Sequence, residues 1–224
     1  IIPMECLLAS DLTEKNEDGL TSDNFGQNSV FNLIDKISNV KESDPSLSNL
    51  GDFYQHLPNV DLVLCTDMGT EPADFIISSN DKLVFVHIKC GGSSQRPESS
   101  AGAIFEVGSQ ALKNIHYLVS NSSRQFANIS WLRNPWPSIN GNKNGVCLSR
   151  IRLFNKEFDP THSLDDVLKK IDQRRADPLV KKEIWLVIGN SFSYQHFMRQ
   201  LSNPSGAFAE SIQAYQLIDT WLAQ

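Results

Sequence analysis

Two short apolar runs, "DFIISS" (74–79) and "KLVFVHIKC" (82–90), are separated by only Asn80 and Asp81. Both runs are rich in the β-branched and aromatic residues that suit a pleated surface, and Asn and Asp tolerate the positive φ of a two-residue hairpin turn. A turn at Asn80-Asp81 leaves one register: Ser79 opposite Lys82, Ile77 opposite Val84, Ile76 opposite Phe85, Phe75 opposite Val86 and Asp74 opposite His87. A slip of one residue would send every side chain to the wrong face.

This register places Phe75, Ile77, Val84, Val86 and Ile88 on one face, while Ile76, Leu83 and Phe85 make the turn end of the other face apolar. At the open end of that second face stand Asp74, His87 and, two residues on, Lys89. Direct cross-strand neighbours have Cβ atoms roughly 4.5–5.5 Å apart, so a carboxylate, an imidazole and an ammonium share a small patch. Charges in such surroundings are costly unless paired or bound to a metal. One reading is therefore an Asp74–Lys89 ion pair beside a hydrogen-bonded His87, and the other is a metal site.

The flanking sequence fills in an α/β fold, a mixed central sheet flanked by helices. In "NSVFNLIDKIS" the apolar residues Val30, Phe31, Leu33, Ile34 and Ile37 recur at helical spacing, with Asn28 or Ser29 as N-cap. "NVDLVLCTD" reads as a strand ending at the Gly and Pro of "DMGTEP". From Ser99 to about Ser120, Ile104, Val107, Ala111, Ile115 and Leu118 form one stripe of a helix, with Ser99 or Ser100 as cap. "CLSRIRLFN" is a strand candidate, "SLDDVLKKIDQRR" a helix, "EIWLVIGN" a buried strand and "GAFAESIQAYQLIDTWLAQ" a closing helix. Residues 1–224 read as a single domain with a local elaboration around 121–150, where Trp131, Trp136, two prolines and "INGNKNG" fall.

Asp74, a hairpin turn and then His87-Ile88-Lys89, preceded by "EPAD", resemble the PD-(D/E)xK motif of the restriction-endonuclease-like nuclease superfamily. The order of elements over 28–119 and 182–190 is similar to that superfamily's core, so the resemblance implies a restriction-endonuclease-like core. It also implies a metal-dependent DNA endonuclease using Mg²⁺ or Mn²⁺, with Asp74, His87 and Glu71 as metal ligands and Lys89 orienting water or stabilising charge on phosphorus. Gln110, on the following helix, looks like a supporting residue, its alternative being an exposed helix polar residue, and the resemblance offers Asp35 on the first helix as a further acidic ligand, its alternative being a solvent-facing helix residue. The departure from the motif is His87, which stands where the second acidic residue belongs, and imidazole is a poorer ligand than a carboxylate for Mg²⁺. Three outcomes stay open: His87 acts as a direct or water-mediated ligand, another carboxylate (Glu71 first, Asp67 next) takes the role, or catalysis is lost. The pattern "GTEPADFI", "VFVHIK" and "GSQALKN" is also similar to nuclease-like domains attached to helicase-like ATPases, some of them in phage defence.

Other signals narrow the function classes. The net charge of −6 argues against a basic, sequence-independent DNA clamp, but not against a nuclease whose divalent ions attract phosphate. No run reaches the ~18 apolar residues of a membrane span, and the four widely spaced cysteines (Cys6, Cys65, Cys90, Cys147) point to a reduced, cytoplasmic protein. The start at "IIPMECLLAS" reads as a piece of a longer polypeptide. "KCGGSSQRPESSAG" lacks the Gly-Lys-Ser/Thr ending of a nucleotide-binding P-loop, but as a loop beside Lys89 it could admit nucleic acid. Arg124, Arg133, Lys143, Arg150, Arg152, Arg174 and Arg175 could line a DNA channel with Trp131 or Trp136 stacking on a base, or be scattered solvated charge. His56, His116, His162 and His196 show no zinc spacing. The rival to a nuclease is a catalytically inactive module of the same fold that binds nucleic acid or docks a protein.

Overall fold

The computed structural model describes residues 1–69, 71–91, 98–99, 101–119, 126, 128–137, 145–155 and 163–222. Its elements are α1 (Val30–Asp35), α2 (Leu47–Leu50), β1 (Leu62–Cys65), β2 (Phe75–Ser78), β3 (Lys82–Cys90), α3 (Ala101–Val119), β4 (Ile151–Phe154), α4 (Leu164–Ala176), β5 (Lys181–Gly189), α5 (Tyr194–Ser202) and α6 (Ala209–Leu222). The strands form one mixed sheet in the order β4-β1-β2-β3-β5. All neighbours are antiparallel except β3 and β5, which run parallel over nine residues. Among the described residues no helix is long and apolar enough to cross a membrane.

The hairpin adopts the register that its sequence dictates, with Phe75 opposite Val86, Ile76 opposite Phe85 and Ile77 opposite Val84. Its turn differs from the expectation, because neither Asn80 nor Asp81 takes a positive φ. The turn is held by side chains instead: Ser79 Oγ donates to Asp81 Oδ1 at 2.6 Å, and the Arg174 guanidinium of α4 grips Asn80 Oδ1 at 2.9 Å together with the Ser79 carbonyl.

Both faces of the sheet are covered. On one, Val63, Phe75, Ile77, Val84, Val86 and Leu153 pack against Val30, Phe31 and Ile34 of α1 and against Phe25, Phe53 and Trp136. On the other, Leu62, Leu64, Ile76, Leu83 and Phe85 meet Leu118 of α3 and Val167 and Ile171 of α4. Each fully buried side chain of this size stabilises the fold by roughly 1.5–3 kcal/mol relative to exposure, which is why the hairpin anchors the molecule. A third, smaller cluster joins Ile104 of α3, Phe197 of α5 and Ala214 of α6.

Four sequence expectations take a sharper form. Ser29, not Asn28, caps α1, accepting the Asn32 N–H at 3.1 Å, and the helix tightens into a 3₁₀ turn over Lys36–Lys41. β5 is an edge strand, so most of its side chains are only half-buried where full burial was expected. The described part of the 121–150 segment is knitted into the core: Trp136 is 2% exposed and stacks on Phe31 at 5.6 Å. α5 has no counterpart in the sequence reading. The loop residues 92–97, Ser100, Ser120, Arg124, Lys143 and His162 lie outside the described residues.

Candidate functional site

Where β1 ends and β2 begins, the chain makes a short excursion that carries Asp67, Glu71 and Asp74. Thr66 anchors its base by donating N–H to the Asp74 carbonyl at 2.8 Å and Oγ1 to the Ala73 carbonyl at 2.5 Å. Asn114 of α3 donates to the Glu71 carbonyl at 2.9 Å, and Glu71 Oε2 accepts the Met68 N–H at 3.3 Å. The result is that one carboxylate oxygen from each of Asp67, Glu71 and Asp74 lies within 4.8 Å of the others.

Asp74 is the buried member, 6% exposed. It sits one residue before β2, donating its N–H to the Val86 carbonyl at 2.9 Å while its Oδ2 accepts the Ile88 N–H at 2.7 Å. Asp74 thus holds the β3 backbone on both sides of His87, its N–H at Val86 and its carboxylate at Ile88. Burial, then the charges of Asp67 and Glu71, push its pKa well above the ordinary carboxylate value, partly opposed by the Ile88 N–H.

His87 is 2% exposed, and burial holds its imidazole down to about 4, so at neutral pH it is uncharged. It borders a cleft of about 240 Å³ lined also by Gly69, Glu71, Gln110, Lys113, Asn114 and Tyr117. The structure therefore brings Glu71, His87 and Gln110 to one cleft, while the ring of His87 stays outside the carboxylate cluster. Lys89 is turned to α3, where its Nζ meets Glu106 Oε1 at 2.7 Å; no Asp74–Lys89 pair forms. The hydrogen bond to Glu106 raises the Lys89 pKa.

Two residues complete the surroundings: Lys15, which the sequence did not single out, and Trp136, which is buried against the cluster and not open to stack on a base. Lys15, from the N-terminal segment, places its Nζ 2.9 Å from Asp67 Oδ2. Burial alone would lower its pKa, but the Asp67 carboxylate, with Glu14 and Asp74, more than offsets this and raises it. Trp136 donates its indole N–H to the same Asp67 Oδ2 at 2.7 Å. Arg150 supports the excursion from behind, donating to the Asp67 and Cys65 carbonyls at 2.8 and 3.3 Å. Asp35 is committed elsewhere, in a buried bidentate pair with Arg152 at 2.8 and 2.9 Å.

The donor set is three hard carboxylate oxygens, which suits Mg²⁺, Mn²⁺ or Ca²⁺ better than a soft metal. Comparison with family models, with curated proteins and with solved structures returned no match.

Proposed function

We propose that this chain is a metal-dependent endonuclease domain of the PD-(D/E)xK type that hydrolyses DNA phosphodiester bonds. The observation that carries the reading is the carboxylate cluster at the open end of the β2–β3 hairpin, where Asp67 supplies the acidic oxygen that His87 does not. The order of elements supports it too: a helix, three antiparallel strands and a long helix, followed, after β4 and α4, by a strand parallel to β3.

Asp67, Glu71 and Asp74 would hold Mg²⁺ or Mn²⁺. When bound, such an ion polarises the scissile phosphate and lowers the pKa of an attacking water. Gln110, on the cleft wall, offers an amide to orient that water or a phosphate oxygen. Neutral His87 lies at the same cleft, where it can donate or accept a hydrogen bond without adding charge. Lys89 must leave Glu106 to reach a phosphate; half-exposed ion pairs of this kind are worth only about 0–1 kcal/mol, so a phosphate competes easily. In a cell, the domain would act in the cytoplasm, beside a helicase-like ATPase, in defence against foreign DNA.

The Lys89–Glu106 pair also favours a second reading, a catalytically silent module that binds nucleic acid or docks a protein. Cleavage of supercoiled plasmid and single-stranded DNA in Mg²⁺ and in Mn²⁺ separates the two. Cutting that Asp74→Asn and Glu71→Gln each reduce by at least about 100-fold is expected for the nuclease. No cutting in either metal by a folded wild-type chain would leave the docking module standing.

A further inference from the structure

We infer that Lys15 is the resident counter-cation of the Asp67, Glu71 and Asp74 cluster, and that a divalent ion loads by displacing it. The displacement rests on the reading of the cluster as a cation site; the counter-cation role does not. Among the described residues, Lys15 is the one cation in ion-pair contact with any of the three carboxylates.

The delivery of Lys15 is built into the backbone. Thr13 and Glu14 run alongside the start of α1: Thr13 N–H donates to the Asn28 carbonyl at 2.9 Å, and the Thr13 and Glu14 carbonyls accept from Val30 and Phe31 at 3.0 and 3.1 Å. Glu14 Oε2 accepts the Cys90 N–H at the end of β3 at 3.3 Å, tying the same segment to the strand that carries His87 and Lys89. Asn16 then takes a left-handed φ of 47°, which turns the chain away immediately after the lysine. The ammonium lies 5.4 Å from the centre of the Phe31 ring and 3.9 Å from Glu14 Oε1, so ring and carboxylate fix the side chain that reaches Asp67.

Charge makes this ammonium and a divalent ion competitors. Asp67 Oδ2 already accepts two donors, the Lys15 ammonium and the Trp136 indole, so a metal approaching Asp67 meets a like charge in direct contact with its ligand. A divalent ion in place of the ammonium brings twice the charge to the same oxygens. Lys89 cannot substitute without abandoning Glu106.

Two measurements on the 224-residue chain test this. Mn²⁺ affinity, read by electron paramagnetic resonance or calorimetry, is expected to be about tenfold tighter for Lys15→Met than for wild type. Unchanged or weaker binding by Lys15→Met overturns displacement while leaving the metal site intact. No Mn²⁺ binding by either protein overturns displacement and the metal-dependent reading together. The second measurement is made in chelator, so that no metal enters. In a double-mutant cycle on urea unfolding, Lys15→Met is expected to lower the midpoint in the wild-type background but not in the Asp67→Asn background. Additive effects in that cycle overturn the counter-cation role itself.

Discussion

His87 is an imidazole kept neutral by its surroundings, and this has a cost that depends on pH. In the unfolded chain it titrates near 6.5, but in the fold burial holds it down to about 4. Between these values the unfolded state binds more protons, so the His87 contribution is nil above 6.5 and costs stability as pH falls from 6.5 to about 4, by roughly 3 kcal/mol in all. Urea unfolding across this window is expected to show that loss, and His87→Gln to flatten it. A second residue-scale expectation concerns the buried Asp35–Arg152 pair. Asp35→Ala leaves the Arg152 guanidinium buried without its carboxylate and is expected to cost about 3–5 kcal/mol, whereas Asp35→Leu with Arg152→Met recovers most of it; thermal melts of the three variants decide. Asp74, Glu71 and Asp67 were legible because they lie within a few residues of the hairpin that positions them. Lys15 and Trp136 were not, since they reach Asp67 from distant parts of the chain, and a lysine in "TEKNEDG" carries no local sign of its partner.

At the scale of elements, strand register was the most legible feature, because a two-residue connection between apolar runs admits only one alternation. The backbone form of the turn was hidden: Arg174, from a helix far along the chain, fastens it. α5 escaped notice because it is only nine residues long and buries a single side chain, Phe197, although Ser193 caps it by accepting the His196 N–H at 3.2 Å. The exposure of β5 was equally invisible, since an apolar strand reads alike in the middle or at the edge of a sheet. One element contact yields a clear expectation. Gly108 of α3 lies under the Trp221 ring of α6, and a Cβ there would sit 2.1 Å from Cη2. Gly108→Ala raises intrinsic helix propensity by ~1 kcal/mol but forces the ring aside, an overpacking cost of typically 1–3 kcal/mol. A lower melting temperature and faster proteolytic loss of α6 are expected; a more stable protein would show that α6 is free to shift.

For the molecule as a whole, the sequence conveyed the α/β architecture through the order of apolar runs and helical stripes, while the packing of the 128–137 segment into both cores emerged only in three dimensions. A cation bound to the carboxylate cluster would act on the entire fold, because ligands that bind only the native state stabilise it by mass action. At 100 times its dissociation constant the gain is about 2.7 kcal/mol, so melting temperature is expected to climb with Mn²⁺, fall back in chelator, and stay flat in Asp74→Asn. The Trp136 contact offers a way to watch this happen. Its indole is wedged between Phe25 and Phe31 on one side and hydrogen-bonded to Asp67 on the other. Indole emission shifts with the charge beside the ring, so Trp136 is an optical probe already wired to the cluster, and replacing the other three tryptophans by phenylalanine would leave a chain whose fluorescence colour reports the state of Asp67.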